Sequence, residues 1–142
     1  LKKPKRTKDG LLEIENDISR QRRKDILAKG VHKGIIESDY IYPMLGGRNI
    51  ERWAVKSNEF ILVPHSSTYK YGIPEEELAL IAPRTMEWLE YYREELLASR
   101  IQNGKFFNPE TQPFYRLDNV GEYTFSPYFT YVTTEPPLCD IP

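Results

Sequence analysis

Cysteine and histidine are nearly absent from this chain of 142 residues, with one of the former and two of the latter. Cys139 has no partner for an internal disulfide and cannot build a cysteine-based zinc site. His32 and His65 are far apart, and neither has a companion at ligand spacing, so no metal centre is expected. No apolar run approaches the roughly 18 residues that a membrane-spanning helix needs. There is no internal repeat and no low-complexity stretch. The opening Leu1-Lys2-Lys3-Pro4-Lys5 has neither a Met nor the apolar segment of a signal peptide, which leads us to expect a cytoplasmic protein of which this is a piece. Gly46-Gly47 lacks the spacing of a phosphate-cradling loop. Carboxylates cluster at Glu75-Glu76-Glu77 and Glu94-Glu95, both on expected helix surfaces, and form no acid–base pair. The expectation is that these residues catalyse nothing by themselves.

What the chain does have is aromatic content and a split charge. Ten Tyr, six Phe and two Trp argue for a packed core and against disorder. Lys and Arg number 20 against 21 Asp and Glu, leaving a net charge of −1, so a uniformly basic coat is excluded. The balance is uneven, however. Residues 1–33 hold 11 Lys/Arg and 5 Asp/Glu, a surplus of +6, while residues 34–142 hold 9 and 16, a deficit of −7. Lys2, Lys3, Lys5, Arg6 and Lys8 form one basic cluster, and Arg20, Arg22, Arg23 and Lys24 form a second. Either cluster can meet phosphates, or serve as a solvated terminus and a polar helix face.

Periodicity suggests an α+β class: a single mixed domain with short strands, one prominent central helix and an N-terminal helical and basic segment. Residues 1–10 read as a basic tail ending at Asp9-Gly10. A helix is expected from Leu11 to Lys29, with Gly30 as its C-cap. Gly34–Tyr42 is a short Ile- and Tyr-rich segment stopped by Pro43, and Phe60-Ile61-Leu62-Val63 is an apolar strand before Pro64. Pro74-Glu75-Glu76-Glu77 opens a short helix. Pro83 suits the first turn of the main one, where Trp88, Leu89, Tyr92 and Leu96 recur at helical spacing over Arg84–Arg100. Asn103-Gly104 ends it. Phe106-Phe107, Phe114–Leu117, Tyr123–Phe125 and Tyr128–Val132 read as further short strands, and Pro136-Pro137 closes the ordered part.

Four blocks in this order carry a specific resemblance. They are Ile36-Glu37-Ser38-Asp39-Tyr40-Ile41-Tyr42-Pro43-Met44-Leu45-Gly46-Gly47-Arg48-Asn49-Ile50-Glu51-Arg52-Trp53, the strand Phe60–Pro64, the helix Pro83–Arg100, and Pro113-Phe114-Tyr115-Arg116-Leu117-Asp118-Asn119-Val120-Gly121-Glu122-Tyr123-Thr124-Phe125-Ser126-Pro127-Tyr128. Over roughly residues 30–128 the chain resembles the target-recognition domain of adenine-specific DNA methyltransferases of prokaryotic restriction–modification systems, including type II enzymes fused to an endonuclease. The departure is Phe129-Thr130-Tyr131-Val132, where that family has a Lys and a Trp. The resemblance implies double-stranded DNA as a partner, together with an upstream methyltransferase domain of the same chain and no membrane. It implies S-adenosylmethionine as the cofactor of the parent protein, with none held by this fragment. The implied organisation is a basic tail and helical linker over 1–29, a recognition domain over 30–135, and a proline-rich end over 136–142.

Recognition of duplex DNA needs cations and amides for phosphates and a few forked donors for base edges. Arg48, Asn49 and Arg52 place such donors beside the Gly46-Gly47 turn, and Tyr69 and Lys70 sit in a polar aromatic loop over 66–72. Arg116 stands between aromatics. Each has a structural alternative: the arginines can tie down neighbouring acids, and the loop can be ordinary surface. The competing function is a protein–protein interaction module without DNA-binding or catalytic activity, with the acidic residues 34–142 meeting a basic partner. A small nuclease is disfavoured, because no Asp…Glu-x-Lys cluster is present.

Overall fold

The structure is a computed structural model that describes residues 1–46, 49–51, 54–55, 58–103 and 106–126, with Ile50, Glu51, Val55 and Asn103 described by backbone alone. It is a mixed α+β domain, as expected. Seven short strands come first, β1 (Lys5–Arg6), β2 (Leu12–Glu15), β3 (Lys33–Ile36), β4 (Ile41–Pro43), β5 (Ile50–Glu51), β6 (Ala54–Val55) and β7 (Phe60–Leu62), with helix α1 (Lys24–Lys29) between β2 and β3. Helices α2 (Glu75–Ile81), α3 (Pro83–Glu90) and α4 (Arg93–Asn103) follow, and a 3-10 turn at Glu122–Phe125 ends the described chain.

The strands form three antiparallel sheets: β1-β2-β3, β4-β7 and β5-β6. Asp9-Gly10 closes the β1–β2 hairpin; Gly10 takes φ +80°, its N–H donates to Thr7 O at 3.2 Å, and Thr7 N–H donates to Leu11 O at 2.9 Å. In β2, Leu12 and Ile14 are buried while Glu13 is exposed, the period-2 pattern of a half-buried strand. Register runs Leu12↔Ile36, Glu13↔Ile35, Ile14↔Gly34 and Glu15↔Lys33. The first and second sheets are joined by Leu1, whose nitrogen donates to Phe60 O at 2.9 Å while Phe60 N–H donates to Leu1 O at 3.0 Å.

The core has two lobes. Leu12, Ile14 and Ile36 pack with Trp88, and Ile73, Leu78, Ala82 and Leu89 pack with Phe114 and Tyr115; Leu62 touches both groups. Trp88 sits so close over Gly34 that a Cβ there would lie 2.9 Å from the indole Cε3. Glu37, just past β3, caps α3: its carboxylate accepts from Arg84 N–H (3.2 Å), Thr85 N–H (2.8 Å) and the Thr85 hydroxyl (2.6 Å). Burial pushes the Glu37 carboxyl up, but these donors and its own N–H outweigh that and hold it below its ordinary value.

Several expected elements differ. The helix expected over Leu11–Lys29 is a helix only at Lys24–Lys29, ended as expected by Gly30 at φ +69°. The Leu-Glu-Ile-Glu alternation belongs to β2 instead, and Asp17, accepting from Ser19 N–H at 3.0 Å, turns the chain between them. The expected single helix Arg84–Arg100 is broken at Tyr91-Tyr92. There the Lys29 ammonium takes the Tyr91 carbonyl, and Tyr92 N–H bonds Leu89 O, three residues back, at 2.9 Å. Phe114–Leu117 is a turn, with Arg116 N–H donating to Pro113 O at 3.0 Å, and it sends both Phe114 and Tyr115 into the core. A strand would have pointed those two rings to opposite faces. Tyr123–Phe125 lies in the 3-10 turn, Phe106-Phe107 forms no strand, and Tyr128–Val132 lies outside the described residues.

Candidate nucleic-acid interface

The first basic cluster is part of the folded sheet. Lys2 N–H donates to Glu15 O at 3.0 Å, Lys5 pairs with Glu13 across the ladder, and Arg6 pairs with Leu12. Lys2 forms an ion pair with Glu15. Lys3, Lys5, Arg6 and Lys8 are exposed and have no ion pair among the described residues. The hairpin therefore displays four cations on ordered backbone.

The second cluster is partly neutralised within the protein. Arg20 pairs with Glu59. Arg23 pairs with Asp25 and donates to Glu95 O at 2.8 Å, which ties the start of α1 to α4. Lys29 at the other end of α1 meets the buried Glu95 carboxylate at 3.0 Å and lies over the Tyr91 ring at 4.5 Å. Arg22 and Lys24 remain exposed without ion pairs among the described residues.

The six residues singled out by the sequence fall in separate places. Arg48 and Arg52 lie outside the described residues. Asn49 closes a turn on itself: Gly46 N–H donates to Asn49 Oδ1 and Asn49 N–H donates to Gly46 O, both at 2.8 Å. Tyr69 donates its hydroxyl to Glu77 Oε2 at 2.7 Å, and that carboxylate holds the phenol proton more firmly than usual. Lys70 is exposed, with no ion pair among the described residues.

Arg116 is only 9% exposed. Its Nη1 donates to Phe106 O at 3.0 Å and to the Gln112 amide oxygen, and its guanidinium stacks on Tyr71 at 4.5 Å. Its Nε is buried without a partner. These contacts join the 106–112 segment to the loop that carries Tyr69 and Lys70. The two segments face each other across a cleft of about 630 Å³, with Thr68–Gly72 on one wall and Pro109–Pro113 on the other.

His65, which the sequence marked only as lacking a companion at ligand spacing, is the hidden organiser of this loop. It is buried, its Nδ1 lies 3.0 Å from Lys70 O, and its Nε2 accepts from Leu117 N–H at 3.0 Å. Burial lowers its pKa below the ordinary histidine value; the Lys70 carbonyl opposes that, while Arg100 and Arg116 add to it. The only sequence signal was a histidine directly after the strand-ending Val63-Pro64. Gly72, at φ +108° between Pro113 and Tyr115, is the loop's other fixed point.

No protein family, curated protein or solved structure matches this chain. Among the described residues no group of His, Cys, Asp and Glu is arranged to hold a metal ion, and no helix is long and apolar enough to cross a membrane.

Proposed function

We propose that this chain is a DNA sequence-recognition domain serving an adenine-N6 DNA methyltransferase of a restriction–modification system, one that acts alone or is fused to an endonuclease. The observation that carries the reading is the β1–β2 hairpin, with Lys3, Lys5, Arg6 and Lys8 exposed and without ion pairs among the described residues. Phosphates are the natural counter-charge for cations held on ordered backbone at a sheet edge, and phosphate contacts supply most of non-specific DNA affinity. Lys70, on the loop braced by His65 and Arg116, is a further exposed cation. Base reading falls to Arg48, Asn49 and Arg52, on the resemblance of their block to recognition domains, since Arg forks suit guanine and Asn suits adenine. Arg116 serves by holding the loop.

S-adenosylmethionine belongs with the catalytic domain of the parent. The target adenine leaves the duplex to reach the methyl donor, and this domain grips the site while that happens.

Titrating labelled duplex DNA with the chain at rising salt tests the reading. Weak binding that falls steeply with salt supports it. Absence of binding at the lowest salt, or affinity indifferent to salt, overturns it.

A further inference from the structure

Strand β3 is an edge. It pairs with β2 on one side, and among the described residues no strand pairs with the other. Asn16 N–H donates to His32 O at 3.1 Å, so in antiparallel alternation Gly34 and Ile36 also bond towards β2. Lys33 and Ile35 then direct their N–H and C=O groups outward, where nothing among the described residues accepts or donates. An open ladder of this kind is a template for another extended backbone.

Helix α3 overhangs that edge. Arg84, Glu87 and Tyr91, at helical spacing, face the strand across a groove of about 570 Å³ whose near wall is His32–Ile36. Both walls are fixed in place. Glu37 caps α3, and the His32 ring stacks on Trp88 (centroids 4.4 Å apart) and on Tyr91 (3.9 Å). Ile35 and Tyr91 are 43% and 41% exposed, leaving apolar surface on either side of the groove. Arg84 and Glu87 both have exposed side chains with no ion pair among the described residues, whereas Glu90 on the same helix is held by Arg93.

We propose that this groove binds an extended peptide, which adds a strand to β3, sets an acidic side chain against Arg84, lays an apolar side chain on Tyr91 and places the next one, on the opposite face, beside Ile35. The outward Lys33 and Ile35 groups call for a peptide backbone, and Arg84 supplies the charge complementarity. A second copy of the chain fits less well. Edge-to-edge pairing would set two strands about 4.8 Å apart under two overhanging helices, which need about 8–10 Å between their axes. The proposal does not depend on the DNA reading.

Panning the chain against a random heptapeptide phage library, with counter-selection on Arg84→Ala, tests it. The expected enrichment is for peptides with an acidic residue and alternating apolar residues. Synthetic copies should bind several-fold more weakly to the folded Arg84→Ala variant and slow amide hydrogen exchange at Lys33 and Ile35. N-methylation of the peptide at alternate residues should abolish binding in one register and leave it in the other. No enrichment over the variant, or binding that leaves the Lys33 and Ile35 amides unprotected, overturns the proposal. Equal binding by both N-methylated registers also overturns it. Protection of those amides by concentration-dependent dimerisation without peptide would give the groove to a second copy instead.

Discussion

Leu117 donates its backbone N–H to the Nε2 of His65 at 3.0 Å. That bond makes Nε2 an acceptor, so the ring's single proton sits on Nδ1 and is donated to the Lys70 carbonyl, also at 3.0 Å. A neutral imidazole thus ties the loop over 66–72 to the turn that carries Phe114 and Tyr115. A second proton would fall on Nε2, facing an N–H, in a buried site with Arg100 and Arg116 nearby.

The folded protein should therefore lose stability on acidification. His65 has a folded pKa below the 6.5 of an unperturbed histidine, so the unfolded state binds the proton first. Stability is at its full value above about pH 6.5 and declines as pH falls through the interval down to the folded pKa. Melting temperatures at neutral and mildly acidic pH check this. His65→Gln, which keeps one donor and one acceptor without titrating, should flatten that part of the curve; His32, lowered by burial and by Lys29, and the Leu1 amine, lowered by burial, add to the slope that is left.

Glu37 should behave as a helix cap supplied from another element. Ala82, at the N-cap of α3, provides no side-chain cap, and Glu37 takes its place. Glu37→Ala should destabilise by about 1–2 kcal/mol in urea unfolding, the upper part of the capping range. Because the folded carboxyl titrates below its ordinary 4.5, the cap's contribution is complete above that pH and is lost as pH falls further.

Gly34 is required by space. Its position under Trp88, 2.9 Å from the indole, predicts that Gly34→Ala costs about 1–3 kcal/mol through overpacking. The indole is buried against Leu12, Ile14 and Ile36, so Tm should fall in a thermal scan.

Arg116 is expected to report on folding. Arg116→Ala leaves the Phe106 carbonyl without its donor, removes one of the two donors to the Gln112 amide oxygen and uncovers Tyr71, a loss of about 1–3 kcal/mol. Arg116→Lys should recover little, since an ammonium has no planar fork to stack and bridge. Urea unfolding curves of both variants check this.

Elements governed by local chemistry were legible in the sequence. Pro83 starts α3, Phe60–Leu62 is a strand, Gly30 at φ +69° ends α1, and Asn103 ends α4. What escaped was set by distant partners. Leu12 and Ile14 fit either a helix or a strand in isolation, and pairing with Gly34 and Ile36 decides for the strand. The break at Tyr91-Tyr92 depends on Lys29, which lies far back in the chain. Phe114-Tyr115 resembles a strand until Pro113 closes a turn and both rings enter the core. At the candidate interface the basic cluster was visible as composition, but its ordering as a hairpin required the β1–β2 register. The roles of His65 and Arg116 rest on main-chain groups that no side-chain pattern announces.

The most direct test of the DNA-recognition reading is the salt dependence of duplex binding by the chain and by a Lys3→Glu, Lys5→Glu, Arg6→Glu, Lys8→Glu variant. These side chains are exposed, so the variant should fold with a similar circular dichroism spectrum. The reading predicts that the plot of log affinity against log salt becomes shallower by up to about 3–4 units, at roughly 0.9 for each phosphate that is no longer neutralised. An unchanged slope in a folded variant would contradict it.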